Sequence, residues 1–238
     1  MKLDILAIGV HPDDVELSCA GTILKEIAAG KKVGILDLTQ GELGTRGSAT
    51  LRLKEAAKSA KILGLTSRDN LGMKDGFFSN DEQHQIAIIE ILRKYQPEII
   101  LANAIEDRHP DHGRAAKLIA DACFYSGLRR IESTLDGKKQ SAWRPKAIYH
   151  YIQDYFIKPD LVVDISPYVA TKFKAIKAFS SQFYDPESKE PKSPISVENF
   201  DDYLNGRMVQ MGRYIGADFG EGFTVSRPIG VNSIMDLS

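Results

Sequence analysis

The sequence is poor in cysteine, in net charge and in long apolar runs, and each shortage excludes something. Only two cysteines, Cys19 and Cys123, occur in 238 residues. They lie in apolar, helix-like surroundings and are not spaced as a zinc pair, so buried thiols in a reducing compartment are expected. Thirty-one Lys and Arg face 32 Asp and Glu, for a formal net charge of −1. No strong field therefore favours nucleic acid or an anionic membrane, and neither is expected as a partner. No apolar stretch approaches the roughly 20 residues of a membrane span. No basic start followed by an apolar segment and a small-residue cleavage site opens the chain, so a soluble cytoplasmic protein is expected. No internal repeat, coiled-coil heptad, low-complexity segment or clear linker interrupts it.

What is present is an alternating pattern with a 43% apolar content, enough for a sizeable core. Leu3–Val10, Val33–Leu38, Asp69–Leu71 and Glu98–Ala102 read as strands. Leu17–Ala29, the stretch from the Ser48 N-cap to Gly64, Asp81–Tyr95 and Gly113–Tyr125 read as helices between them. In the second helix Leu53, Ala56, Ala57, Ala60 and Leu63 form the expected apolar face. This βαβαβ order predicts an α/β fold, a Rossmann-like three-layer sandwich with a mostly parallel sheet and helices on both faces. Residues 127–144 are polar and irregular and read as a connection. Further strands are expected at Lys146–Ile152 and Leu161–Ile165. A helix from Ser166-Pro167 to about Ser181, a surface loop over 185–194, a helix over 199–215 and an extended Phe223–Val225 complete the chain. One domain, 1–238, is expected, its C-terminal part from about residue 145 completing the sheet and the pocket.

Two polar clusters stand at strand ends. Val10-His11-Pro12-Asp13-Asp14-Val15-Glu16 follows the first strand, and Asp107-Arg108-His109-Pro110-Asp111-His112-Gly113 follows the fourth. In open parallel sheets ligands bind beyond the carboxyl ends of strands, where both clusters and the glycine-rich Thr39–Gly47 loop fall. Imidazoles interleaved with carboxylates suit a metal ion with a spare carboxylate beside it. Two of the five histidines, His84 and His150, lack such company and read as structural. Spacing alone does not choose between Asp13 and Asp14, or between His109 and His112. A dinucleotide-binding oxidoreductase is disfavoured, since His11-Pro12-Asp13-Asp14 stands where its Gly-x-Gly-x-x-Gly would be. The glycine-rich loop also lacks the Gly-Lys-Ser/Thr ending of a P-loop.

His11-Pro12-Asp13-Asp14 together with His109-Pro110-Asp111-His112 resembles the PIG-L/LmbE-like family of zinc-dependent de-N-acetylases. Gly41–Gly47, Asn103–Gly113, Ser181-Gln182-Phe183 and Gly220-Glu221-Gly222-Phe223 look most like its bacillithiol-pathway members, which deacetylate N-acetylglucosaminyl-malate. The resemblance implies zinc held by His11, Asp14 and His112, with iron(II) able to take the same ligands. It makes Asp13 the general base, and His109 the protonated partner that stabilises the oxyanion and helps the amine leave, oriented by Asp111. A flanking carboxylate of that kind raises a histidine's pKa. The resemblance also places Arg52 in the pocket. A guanidinium suits a carboxylate such as malate, so Arg52 and Arg108, with Arg46 behind them, are expected to hold an anionic aglycone. Glu42 is a candidate sugar contact, and Gln182 and Tyr184 are candidate pocket walls. A homo-oligomer, in relatives a hexamer, is implied. The runner-up substrates are another N-acetylglucosaminide, such as a chitooligosaccharide, or a thiol-conjugate amide. The competing class is a non-catalytic sugar- or metal-binding protein, which has no need of a base such as Asp13.

Overall fold

A computed structural model of the chain describes residues 1–237, so the final residue of the expected domain lies outside the described residues. The order is β1 (Ile5–Gly9), α1 (Asp14–Ala28), β2 (Val33–Thr39), α2 (Ala49–Leu63), β3 (Ser67–Met73), α3 (Glu82–Tyr95), β4 (Ile99–Ala102) and α4 (Pro110–Ser126). A small hairpin follows, β5 (Thr134–Leu135) with β6 (Lys138–Lys139). Then come β7 (Ala147–Tyr151), β8 (Leu161–Asp164), α5 (Val169–Ile176), α6 (Phe200–Arg213) and β9 (Gly220–Val225). The main sheet runs β3-β2-β1-β4-β7-β9-β8. Its first five strands are parallel, and β9 runs antiparallel to both β7 and β8.

Strand alternation divides the core between the two faces of the sheet. Leu6, Ile8, Leu36 and Ile100 point to one side, where α3 and α4 bring Ile88, Leu92, Leu118 and Ile119. Ile5, Ala7, Ile35 and Leu101 point to the other, against Val15, Ala20 and Ile23 of α1 and Ala175 of α5. The layers are therefore helix, sheet, helix, as the sequence predicts.

Two helices depart from expectation for electrostatic reasons. Helix α1 begins three residues early, at Asp14, and is broken at Cys19 (φ −141°, ψ 18°). The break leaves backbone groups without intrahelical partners, and such groups must be satisfied when buried. The carboxylate of Glu221 on β9 accepts the amides of Gly21 (2.9 Å) and Thr22 (2.7 Å), and Lys172 Nζ bonds both Leu17 O (2.9 Å) and Glu221 (2.6 Å). Helix α2 buries Ala56 and Leu63 of the expected Leu53, Ala56, Ala57, Ala60 and Leu63 face, but Ala57 is exposed, and Arg52, Glu55 and Ser59 are buried in its stead. The polar stripe wins because each member meets a partner. Ser59 donates to Glu16 (2.6 Å), and Glu55 accepts from Ser181 N (2.8 Å) and Ser181 Oγ (2.7 Å). Arg68 joins Glu16 (2.5 Å) to Asp37 by a two-pronged contact of 2.8 and 2.9 Å. The expected helix after Ser166 ends early, at Ile176, and the final extended piece is a six-residue strand inside the sheet.

Candidate active site

Strands β1 and β4 are neighbours, paired from Ile5↔Ile99 to Ala7↔Leu101. From β1 the chain proceeds outward to β2, whereas from β4 it proceeds the other way to β7. A crevice opens at such a switch point. His11, Asp13 and Asp14 enter it after β1, and Asp107, His109 and His112 after β4. They line one cavity of about 410 Å³.

Asp14 sits in the first turn of α1 and is held rigidly. Its Oδ2 accepts Val10 N, His11 N and Asn103 Nδ2, each at 3.0 Å. Its Oδ1 is thereby turned toward His112 Nε2, 3.2 Å away. The other nitrogen of His112 is 2.6 Å from Asp107 Oδ2. His11 has the same arrangement in mirror: Nε2 meets Asp75 Oδ1 at 3.0 Å, and Nδ1 lies 3.7 Å from Asp14 Oδ2. Each imidazole thus has one nitrogen fixed by a carboxylate and the other facing Asp14, the arrangement found around metal-binding histidines.

Donor atoms of His11, Asp14 and His112 all lie within 4.8 Å of one another. Bonds of about 2.0–2.1 Å place tetrahedral ligand atoms about 3.3 Å apart, close to the Asp14–His112 separation. The donor set fits a divalent cation with an open position. A second triad, His11, His109 and Asp111, also falls within 4.8 Å. It is the poorer set, because Asp111 is committed to Arg114 (2.7 Å) and Gly76 N (3.0 Å).

The protonation pattern agrees. Burial opposes a charge on His11, but Asp14 and Asp75 outweigh it and carry the ring to about 10. Burial likewise opposes charge on His112, and Asp14 and Asp107 bring it to about 9. These carboxylates draw positive charge to both rings, and a cation satisfies the same demand. Asp75→Asn should weaken metal binding by roughly 10–100-fold, the usual cost of losing such a supporting carboxylate; competition against a chelator measures it, and unchanged affinity would remove Asp75 from the ligand support.

Asp13 stands apart from the donor set. Its backbone lies at φ 129°, ψ −23°, a region that costs roughly 1–3 kcal/mol for a residue with a side chain. Burial raises its carboxyl to about 7, against the pull of Arg52, whose Nη2 is 3.7 Å away. Its Oδ2 is buried with no hydrogen-bond partner among the described residues. A strained, desolvated carboxylate with an uncommitted oxygen, poised near neutral pH, is suited to accept a proton. Arg52 in turn donates to Gln182 and packs against Gly41, where φ is +65° and a Cβ would collide with the guanidinium.

His109 differs from expectation. Asp111 meets its ring through the backbone amide and not the carboxylate: Asp111 N donates to His109 Nδ1 (3.3 Å), while the Asp111 carboxylate turns to Arg114 and Gly76. Burial, with repulsion from His11 and His112, lowers the His109 pKa. In the absence of a cation these effects favour the neutral ring, and the Asp111 amide at Nδ1 leaves Nε2 to carry its proton. Glu42 and Tyr184 do not line the cavity. Glu42 accepts the Asp75 amide (2.8 Å), and Tyr184 is exposed. Arg46, Arg52, Arg108 and Gln182 do line it, although Arg46 is held by Ser181 O (3.1 Å) and Ser188 (2.8 Å). His84 and His150 lie elsewhere, on Asp81 (2.7 Å) and Asn103 O (2.8 Å). Sequence reasoning missed Asp75, Asn103, Gln153, Asp154 and Arg207. Asp75, Asn103 and Gln153 closely follow β3, β4 and β7, so the rule that pointed to His11 pointed to them as well.

A profile of the PIG-L family, GlcNAc-PI de-N-acetylase, matches residues 6–123. The diacetylchitobiose deacetylase of Thermococcus kodakarensis is 29% identical over 230 residues, covering 92% of this chain and 81% of its own. The "Probable N-acetyl-alpha-D-glucosaminyl L-malate deacetylase 2" of Bacillus anthracis is 25% identical over 195 residues, covering 75% and 81%. Among solved structures, the conserved protein TT1542 from Thermus thermophilus superposes with a TM-score of 0.85 at 31% identity, covering 98% of both chains.

Proposed function

The chain belongs to the PIG-L/LmbE family of de-N-acetylases, and on that footing we propose that it removes the acetyl group of N-acetylglucosaminyl-malate, with zinc as the resident metal and Asp13 as the base. One observation carries the reading. A buried carboxylate, Asp13, whose Oδ2 accepts no hydrogen bond among the described residues, stands beside a two-histidine, one-aspartate donor set in a cavity whose mouth holds an exposed arginine. A binding protein would gain nothing from the strain at Asp13.

A divalent ion held by His11, Asp14 and His112 would supply Lewis acidity toward an amide carbonyl and lower the pKa of a coordinated water. Asp13 takes the proton of the attacking water and, having gained it, is the nearest acid for the departing nitrogen. His109, neutral with its proton on Nε2, donates a hydrogen bond to the forming oxyanion. This role differs from the imidazolium that the resemblance implies.

The malate end is assigned to Arg108 and Arg52. Arg108 Nε is clipped to Asp154 (2.6 Å), which leaves its two Nη groups without a partner among the described residues. Arg108→Ala should raise KM for the malate conjugate by about 10–100-fold, the weight of a charge-assisted contact, with kcat little changed. Kinetics with the malate conjugate and with plain N-acetylglucosamine measure this, and an equal effect on both would remove malate from the proposal. A second reading, deacetylation of a chitooligosaccharide, is favoured by the long overlap with the diacetylchitobiose deacetylase and by the half-exposed Tyr203 ring on the cavity wall. Acetate release from the two substrates decides between them.

We also propose one domain over the whole chain, because β7, β9 and β8 complete the same sheet while α6, with Gln153 and Gln182, walls the same cavity. A cytoplasmic homo-oligomer is proposed from the resemblance. Exposed Phe77, Ile105 and Phe156 are apolar surface available for subunit contact, and no helix among the described residues is long and apolar enough to cross a membrane.

A further inference from the structure

Gln153 lies just past β7, opposite the strand ends that carry the metal donors, and its side chain is buried and lines the cavity. Its amide is not free to flip. Oε1 accepts the backbone amide of Ala104 (3.1 Å) and Asn103 Nδ2 (3.0 Å). A backbone N–H can only donate, so the atom facing Ala104 must be the oxygen, and the NH2 group must face the other way. There it lies 3.4 Å from His112 Nε2. That nitrogen is the one left for a metal, since Nδ1 of the same ring is taken by Asp107. In the absence of a cation the Gln153 amide can donate to an unprotonated His112 Nε2. With that nitrogen committed to a cation, the amide hydrogens have only the substrate side of the cavity to address.

We propose that Gln153 is a catalytic residue of this site: its side-chain NH2, aimed by Ala104 and Asn103, donates a hydrogen bond to the acetamide oxygen as negative charge develops there. The inference rests on the deacetylase reading. In the step it serves, water oxygen bonds to the carbonyl carbon, the water proton passes to Asp13, and the carbonyl π pair moves onto oxygen. Gln153 stabilises that oxygen and exchanges no proton. Because Asn103 Nδ2 also donates to Asp14 Oδ2, the same asparagine fixes the metal carboxylate and the amide donor in one frame. Such a donor costs no reorganisation when charge appears, which is the condition under which it is worth most.

The test compares wild type with Gln153→Leu and Gln153→Glu. Glutamate keeps an oxygen for Ala104 N and Asn103 Nδ2, so the framework is retained while the donor is lost. Three quantities are read: kcat and KM for the N-acetylglucosaminide that the wild type hydrolyses, zinc affinity by chelator competition, and affinity for N-methylphosphonyl-glucosamine, whose tetrahedral phosphorus carries the oxyanion. Both variants should lose roughly 10²–10³ in kcat and a similar factor in affinity for the phosphonyl compound, with KM within about twofold. Zinc affinity should be unchanged in Gln153→Leu and equal or tighter in Gln153→Glu. A parallel fall in zinc affinity in both variants would show that Gln153 only braces Asn103 and Asp14, and would overturn the proposal. Wild-type kcat and wild-type phosphonyl affinity in either variant would overturn it as well. Absence of acetate release by the wild type would sink the deacetylase reading instead, while the zinc and phosphonyl measurements would still judge Gln153.

Discussion

Asp13→Asn should lower kcat for acetate release by roughly 10²–10⁴-fold and leave the bound metal unchanged. The substitution keeps the shape of the side chain and removes its ability to take a proton. Metal retention follows because the donor set is His11, Asp14 and His112, with Asp14 fixed by three hydrogen bonds that do not involve Asp13. Asparagine also suits the positive φ at this position better than most residues, so folding should survive. The pH profile gives a second readout. A base must be deprotonated to act, so the wild-type rate rises with pH through the Asp13 pKa. Burial places that value at about 7 without a cation nearby, and a dication lowers it, so the acid limb should have its midpoint at or below about 7. Asp13→Asn should abolish this limb. Loss of metal in the variant would mean that the two adjacent aspartates have exchanged roles.

Stripping the metal from the purified protein should lower its thermal midpoint by roughly 8–16 °C. A ligand present at about a thousand times its Kd stabilises by about 4 kcal/mol, and each kcal/mol is worth about 2–4 °C in a chain of this size. His112→Ala should show the same low midpoint with or without zinc, together with loss of acetate release. Metal affinity should also fall steeply in acid. Below about 9 both His11 and His112 carry a proton in the apoprotein, and each must lose it to coordinate. Binding therefore releases two protons at neutral pH, and affinity should drop about a hundredfold for each pH unit. Calorimetry in buffers of different ionisation enthalpy reads the proton number directly; release of none would mean that the two rings are already neutral in the apoprotein.

Much of this was legible in the sequence, for a definite reason. Strands β1, β2 and β4 are buried on both faces, so they read as largely apolar runs, and the helices between them carry strong caps at Ser48, Asp81 and Gly64. The clusters at 11–14 and 107–112 stood out because they follow such runs, and the resemblance supplied the choice of His11, Asp14 and His112 within them. What stayed hidden depends on contacts across long separations. Nothing local in α2 says that Glu55 and Ser59 point inward, because the reasons are Ser181 and Glu16. The way Asp111 meets His109 was hidden for the same cause: Arg114 and the Gly76 amide take its carboxylate, so only its backbone amide reaches the ring. Gln153 carries no signature beyond its position after a strand.

The buried contact between Glu221 and the broken turn of α1 bears on how the protein comes into being. Every residue proposed for metal binding and proton transfer lies within 6–123, yet the shape of residues 14–22 is completed by a carboxylate some 200 positions downstream. During synthesis the first helix must wait, with its interrupted backbone unsatisfied, until nearly the whole polypeptide has emerged. Contacts of such range slow folding, because the intervening chain must be ordered before they form. A fragment ending after α4 would hold the metal donors and Asp13 and still lack both Gln153 and the structure that aims them.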